Sequence, residues 1–390
     1  MSNFPVLNHI NDLLPFIADN KQFRVQDQDN GTTVVCYMLQ DEDTFRGEHE
    51  DYYKECRGVT FCSKTGKVLS RTLHKFQNVG ENDKTQADQI PWDKITRIMD
   101  KRDGSMITPV LLTHESNDAT YIRCKTKKTF TSNEAIYATK FLRDFPEGNT
   151  WIRTLLEAGF TPTFEWTSPN SPIVLLYEKD ELTLLQVREN VTGRYMNAEE
   201  MDLLKELCPF PVVPNLVHNY PHPRDLLDHA LTAEGIEGWI VQTDAGEMWK
   251  IKTKWYCELH HSVTFTRWRD IARTVLDDKS DDLKAAFAMT GRSIRPIVEV
   301  ELKVHGHVAL LAASASEMAI AGKNAGLTAA QVAAKYAGNP LQKHIMRAFN
   351  GAPSDHATWL QYYLQKHITD WSLDVITEPN EDNDVNPTTE

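Results

Sequence analysis

Positive charge is in short supply in this sequence. Lys and Arg number 42 against 55 Asp and Glu, leaving 390 residues with a net charge of −13. That balance excludes bulk adhesion to nucleic acid through an overall positive field, so any such contact must come from local basic patches. Apolar runs long enough to span a membrane are absent. The start, "MSNFPVLNHINDLLPFIADN", has neither a basic n-region nor a long apolar stretch, which excludes a secretory leader. Cysteine is sparse: Cys36, Cys56, Cys62, Cys124, Cys208 and Cys257 are scattered without close pairs, as expected of reduced thiols in a cytoplasmic protein. No G-x-x-x-x-G-K-[ST], G-x-G-x-x-G or G-x-S-x-G occurs, so the P-loop, dinucleotide and nucleophile-elbow chemistries have no support. The pairs His218/His222, His260/His261 and His305/His307 lack cysteines or a third ligand at zinc spacing.

What is present divides the chain in two, with hydrophobic residues at 41% overall. Residues 5–17 read as a short helix. From Phe23 to about Leu112 β-branched runs such as "TTVVCYML" and "GVTFCSKTGKVLSR" predict strands. "NEAIYATKFLRDF" has helical spacing, with Ser132 or Asn133 as N-cap. "TPTFEWTS", "PIVLLY" and "ELTLLQVREN" read as further strands, "NAEEMDLLKEL" and "PRDLLDHAL" as helices, and "EGWIVQTDAGEMWKIKTK" as a hairpin. Beyond Trp255 strand signals nearly vanish, and segments such as "ALLAASASEMAIA" and "ATWLQYYLQKHI" are helical. An α+β domain over 1–254 and an all-helical domain over 255–376 are predicted. Residues 377–390 hold five acids and no bases, and composition predicts a disordered acidic tail.

Chemistry is concentrated in the first part. "KRDG" places Lys101 two residues before Asp103-Gly104. The plain reading is a hairpin turn, since Asp-Gly tolerates positive φ; the alternative is a nucleophilic lysine held on a rigid turn. Around it lie Arg57 in "ECRG", Lys75 in "HKF", Lys125 and Lys127 in "RCKTKKTF", and Glu165 in "TFEWTSP". Further on come Arg188 and Glu189 in "VREN", Glu237 in "IEG", and Lys250 and Lys252 in "WKIKTKWY". Alternate strand residues share a face, so Lys250 and Lys252 project together while Trp249 and Ile251 point the other way. Lys125 and Lys127 have the same spacing.

This order resembles the covalent nucleotidyltransferases, whose motifs run K-x-D-G, strand glutamate, E-G, K-x-K, and most closely the bacteriophage RNA ligase 1 family. "ECRG", "K-x-D-G-S", "FE", "VREN-x-TG-x-Y", "IEG" and "KIK-x-x-WY" carry the resemblance over residues 50–260, and "SDDLK" at 280–284 extends it weakly. One departure is "KTKK", where the family has Ser-Lys-Gly. The resemblance implies an N-terminal nucleotidyltransferase domain of ATP-grasp-like antiparallel sheets with helices, followed by an all-α domain that supplies RNA specificity. It implies that Lys101 takes AMP from ATP, passes it to an RNA 5′-phosphate, and that a 3′-hydroxyl then seals the strand. A DNA ligase or a GTP-using capping enzyme is the alternative; those usually append an OB-fold, where this chain shows helix periodicity.

Residue types suit that chemistry. A lysine amine titrates near 10.4, and neighbouring cations such as Lys250 and Lys252 favour the neutral nucleophile. Arg57, Lys75, Asp103, Glu165, Lys250 and Lys252 are the implied ATP contacts, and Lys125 and Lys127 face phosphates or RNA. Glu165 and Glu237 are the implied ligands of magnesium, for which manganese can substitute. Asp103 either holds the turn or binds metal or ribose. Asp281 and Asp282 either reach a second metal or sit at a helix N-terminus capped by Ser280. The implied partners are single-stranded RNA ends, a broken tRNA anticodon loop among them, with a polynucleotide kinase–phosphatase preparing the ends. The implied setting is cytoplasmic, in the host bacterium for a phage protein, with no membrane partner.

Overall fold

The strand-rich stretch resolves into three separate four-stranded sheets. The structure, a computed structural model, describes residues 4–351 except 19, 21, 39–42, 115, 116, 172, 258–267 and 290–293. The first sheet is an antiparallel ladder in chain order: β1 (Phe23–Asp27), β2 (Thr32–Tyr37), β3 (Arg57–Cys62) and β4 (Val68–Ser70). The third sheet supplies the next two strands, β5 (Gln77–Asn78) and β6 (Ile95–Asp100). Then come β7 (Ser105–Thr113), β8 (Thr120–Lys125), β9 (Phe160–Thr167) and β10 (Glu181–Glu189), which form the second sheet in the order β10-β9-β7-β8. β11 (Gly238–Thr243) and β12 (Met248–Lys252) complete the third, ordered β5-β12-β11-β6, where only β5 and β12 run parallel.

Lys101–Gly104 joins β6 of the third sheet to β7 of the second, so it is a crossover and the hairpin reading is corrected. Gly104 is not in the positive-φ region. A Cβ there would lie 2.3 Å from the Trp166 carbonyl oxygen, so glycine is required by the close approach of β7 to β9.

Each sheet buries one face under its own helices. Ile107, Phe164 and Leu184 of the second sheet pack with Ala138, Leu142, Ile152 and Leu156 from the helices Asn133–Arg143 and Pro146–Glu157. Ser132 caps the former, accepting from the Ala135 N–H at 3.2 Å. Ile98, Trp239, Val241 and Ile251 of the third sheet pack with Leu226 and Ala230 of the helix Leu226–Thr232, and Trp249 lies against them. Trp249 and Ile251 thus take the packed side of β12, leaving Lys250 and Lys252 on the other. The described part of "PIVLLY", residues 173–177, forms no strand; it is a loop of bends. Residues 5–17 form a 3-10 turn and a single α-helical turn, Leu14–Ile17, in place of one helix.

The chain divides into two compact units, Met1–Leu259 and His260–Glu390. The described part of the second is helical: Trp268–Leu276, Ser280–Met289, the 30-residue Arg295–Asn324, Ala329–Lys335 and Gln342–Phe349. Its apolar core joins Val275, Leu283, Ile297, Val304, Val332 and Ile345. The predicted helix in "ATWLQYYLQKHI" and the acidic tail lie outside the described residues. Among the described residues no helix is long and apolar enough to cross a membrane, and all six cysteines are free thiols.

Candidate active site

Lys101 leaves the end of β6 with its backbone N–H donating to the Gly238 carbonyl at 2.9 Å, so the turn is tied to the first residue of β11. Its side chain, 17% exposed, reaches Glu237, whose Oε1 lies 2.6 Å from Lys101 Nζ and 3.1 Å from Lys252 Nζ. One buried carboxylate oxygen therefore bridges two ammonium groups. Gly238 makes that arrangement possible. Its φ of 147° is glycine territory, and a Cβ would meet the Ile251 carbonyl oxygen at 2.0 Å. β11 can then lie against β12 with Gly238 opposite Lys252.

Glu165 lies in electrostatic reach of the same groups. Desolvation pushes its carboxyl up to about 8; Lys101 and Arg57 oppose the rise, and Glu237 and Asp103 add to it. Lys101, Glu165, Glu237, Asp103 and Arg57 are thus brought together. Arg57 donates to the His74 carbonyl at 3.1 Å and lies 5.2 Å from the centre of the Phe76 ring. Lys250 is 5.4 Å from that ring, which it shares with Arg57. Lys252 is 5.2 Å from the Tyr256 ring. Both lysines are buried, so this side of β12 is not a solvated strand face.

Asp103 is tied into the turn by hydrogen bonds, as the turn-holding alternative expects. Its Oδ2 accepts from the N–H groups of Val174 and Leu175 at 2.8 and 2.7 Å, and its Oδ1 from the Tyr256 hydroxyl at 2.7 Å. Its own N–H donates to the Tyr177 hydroxyl at 3.0 Å. These bonds pin the 174–177 loop to the crossover and explain why "PIVLLY" is not a strand. Tyr256 is a residue that motif reasoning left without a role; its only sequence signal is the "WY" after "KIK".

The lysine-rich segment departs from expectation. β8 ends at Lys125, so Lys125 and Lys127 do not share a strand face. Lys125 is fully buried, its ammonium donating to the carbonyls of Thr126 and Lys127 at 3.2 and 3.4 Å. Burial lowers it to about 8. It closes its own loop and is not presented to solvent, where a phosphate or RNA contact was expected. Lys127 Nζ donates to the Tyr37 hydroxyl at 3.0 Å and lies 4.1 Å from that ring's centre. Lys75 Nζ lies 5.4 Å from the same ring and 5.5 Å from that of Phe45. Lys75 and Lys127 thus converge on Tyr37, whose part the sequence did not disclose.

Two motifs turn out to be architecture. Arg188 of "VREN" is buried and grips Glu55 of "ECRG" with two nitrogens, NH2 to Oε1 at 2.6 Å and NH1 to Oε2 at 2.9 Å. Arg71 Nε adds a third bond to Oε2 at 2.9 Å. The remaining guanidinium donors reach the carbonyls of Gly193, Thr72, Val191 and Pro5 at 2.7–2.9 Å. Glu189 accepts from the Thr192 hydroxyl at 2.6 Å and shapes the following turn. Tyr195 then takes both the backbone N–H and the Nδ1 of His74, one residue before Lys75. Burial and the nearby Arg188 hold the His74 imidazole well below its usual range, so it is neutral.

Asp281 and Asp282 stand in the first turn of Ser280–Met289 in the second unit. The Ser280 hydroxyl donates to Glu301 at 2.7 Å.

A profile of the family described as RNA ligase matches residues 55–256. A protein of Thermovibrio ammonificans, named as an inferred RNA ligase, is 31% identical over 277 residues, 69% of each chain. RNA ligase 1 of bacteriophage TS2126 is 24% identical over 309 residues, 75% of this chain and 72% of that one. A solved archaeal ATP-dependent RNA ligase overlays 77% of this chain and 78% of its own, with a TM-score of 0.45 and 12% identity. The chain belongs to the RNA ligase family.

Proposed function

We propose that this RNA ligase is ATP-dependent and works through Lys101. The observation that carries the reading is Glu237 Oε1 held between Lys101 and Lys252, with Glu165 alongside. Lys101 Nζ, having lost its ammonium proton, attacks the α-phosphorus of ATP. An N–P bond forms, the bond to the β-phosphate oxygen breaks, and pyrophosphate leaves. An RNA 5′-phosphate oxygen then attacks the same phosphorus and the lysine amine is released. Finally a 3′-hydroxyl attacks the activated 5′-phosphate, and AMP departs. Glu237 orients the amine before attack. Lys252, Lys250 and Arg57 counter the charge that builds on the phosphates, in a setting where partial exclusion of water strengthens their effect. Lys75 and Lys127, converging on Tyr37, suit the outer phosphates of ATP. Asp103 and Tyr256 position the turn and need not touch substrate.

The donor set fits a divalent ion. Among the described residues no cluster of three or more His, Cys, Asp or Glu stands ready to cage a metal. Magnesium uses one or two carboxylates with substrate phosphates, and Glu165 and Glu237 supply that number. Glu165 is held protonated up to about 8 by its surroundings, which a cation at its side would reverse. Magnesium or manganese bound there would add charge neutralisation at the phosphates.

The helical second unit is assigned to RNA preference, with Asp281 and Asp282 as its candidate metal ligands. Broken tRNA loops with 5′-phosphate and 3′-hydroxyl ends fit the reaction. A kinase–phosphatase that creates such ends is the fitting companion. The test is to incubate the protein with α-labelled ATP or GTP and magnesium, then separate it under denaturing conditions. Label from ATP that is absent in Lys101→Ala and Lys101→Arg is expected, since a guanidinium stays charged. Labelling of either variant, or equal labelling by GTP, would contradict the assignment.

A further inference from the structure

Residues 121–143 carry six basic side chains, Arg123, Lys125, Lys127, Lys128, Lys140 and Arg143, against one acid, Glu134, inside a chain of net charge −13. Lys125 and Lys128 are buried, and Arg123 lies 5.7 Å from the Phe130 ring centre. The helix Asn133–Arg143 buries Ala135, Ala138 and Leu142 against the second sheet. Its outer side shows Ile136 at 49% and Tyr137 at 48% exposure, next to each other. Lys140 is exposed four residues after Ile136 and three after Tyr137, so it lies over both on the same face. Arg143, one turn further, is exposed beside Asp144 at 3.3 Å.

An aromatic and an aliphatic side chain flanked by cations suit one occupant best. Protein interfaces are depleted of lysine at their core and bury roughly 800 Å² per partner, far more than two apolar side chains present. Single-stranded nucleic acid instead stacks a base on an exposed ring and lays its phosphates beside nearby cations. The location agrees. The helix follows directly on the loop that carries Lys127 to Tyr37. We propose that the outward face of Asn133–Arg143 is where single-stranded RNA lies, with a base on Tyr137 and phosphates beside Lys140 and Arg143. The proposal rests on the ligase reading for the identity of its occupant.

The test uses the full chain and the double variant Tyr137→Ala/Lys140→Ala. Binding of a fluorescent single-stranded RNA is read by anisotropy over a salt series, lysine–AMP formation by label, and sealing against RNA concentration. Labelling by ATP should be unchanged. RNA Kd and the KM for sealing should rise on the order of tenfold, the scale of one lost stacked base, with kcat kept. The slope of log K against log salt should shallow by about 0.7 for one lost phosphate contact. Tyr137→Phe should retain wild-type binding, because the ring remains. Unchanged RNA binding and salt slope in the double variant would overturn the proposal. So would a wild-type dimer that becomes monomeric in the variant with RNA binding intact, which would give the face to a second copy. Anisotropy does not need catalysis, so a chain that binds RNA here yet takes no label from ATP would contradict the ligase reading and leave this surface standing.

Discussion

Glu55 and Glu165 belong to the same unit and are held in opposite charge states. Glu55 is gripped by three nitrogens of Arg71 and Arg188. Its burial would raise it, but the two guanidinium groups outweigh that and hold it down to about 2. Glu165 has Lys101 and Arg57 within electrostatic reach, together with two further carboxylates, Glu237 and Asp103, and desolvation prevails, up to about 8. One cluster is closed, with every charge answered by rigid partners. The other is composed so that an added cation or a polyphosphate would complete it. Burial of charge therefore does not mark a functional site by itself; the balance of signs around it does.

That contrast is tested most severely by removing each carboxylate. Glu165→Gln should cut lysine–AMP formation on the order of a hundredfold or more while the fold persists, as single-turnover labelling and circular dichroism would show. Its stability should also respond to pH. Between 4.5 and about 8 the folded chain keeps a proton on Glu165 that the unfolded chain releases, so wild type loses stability as pH rises through that window. The variant has no such loss. Its thermal midpoint should equal wild type near pH 5 and exceed it near pH 9, and equal midpoints at pH 9 would refute the environment assigned to Glu165.

Glu55→Gln should behave in the opposite way, leaving Arg71 and Arg188 buried without an anion. A cost of about 3–5 kcal/mol corresponds to a midpoint drop on the order of 10 °C for a unit of this size. Glu55 is depressed, so its contribution is full above the unfolded value near 4.5 and disappears as pH falls toward 2. The gap between variant and wild type should close over that acid range. A gap of the same size at pH 2.5 and pH 7 would show that the lattice acts through something other than this charge.

A smaller effect is expected at the seam between turn and loop. Tyr256→Phe deletes one bond to Asp103 and leaves the two from Val174 and Leu175. A loss of about 1.5–3 kcal/mol, the range for bonds to charged groups, should appear in chemical denaturation, together with slower labelling. Asp103→Asn should lower stability further. Equal stability of Tyr256→Phe and wild type would remove the positioning role.

Much of the site was legible because its chemistry is local in sequence. Lys101, Glu165, Glu237, Lys250 and Lys252 each sit in a short motif, and the two-residue period of β12 separates Ile251 from the lysines. The helix caps at Ser132 and Asn197 are equally local, the latter accepting from the Glu200 N–H at 2.9 Å. What stayed hidden is settled by partners far along the chain. Whether Lys101–Gly104 closes a hairpin depends on which sheet β7 joins, and no turn residue encodes that. "PIVLLY" has strand composition, yet two of its N–H groups are taken by Asp103 some seventy residues earlier. Arg188 and Glu189 stand in the same motif order as Lys101 with no role the sequence assigns, and only the fold shows Glu55, 133 residues from Arg188, occupying the guanidinium. Pro146–Glu157 was missed because Gly148, Asn149 and Thr150 are poor helix formers; packing of Ile152 and Leu156 carries that helix.

Lys101 and Glu237 divide the labour in the proposed mechanism. Lys101 is needed to capture AMP, whereas Glu237, through the metal ion it would share with Glu165, would serve every transfer. The most direct measurement gives Lys101→Ala and Glu237→Ala a single-stranded RNA that already carries AMP on its 5′-phosphate, with magnesium and no ATP, and follows the sealed product on a gel. Lys101→Ala should still join strands at a reduced rate, and Glu237→Ala should fail. A dead Lys101→Ala beside a Glu237→Ala that seals normally would contradict the account.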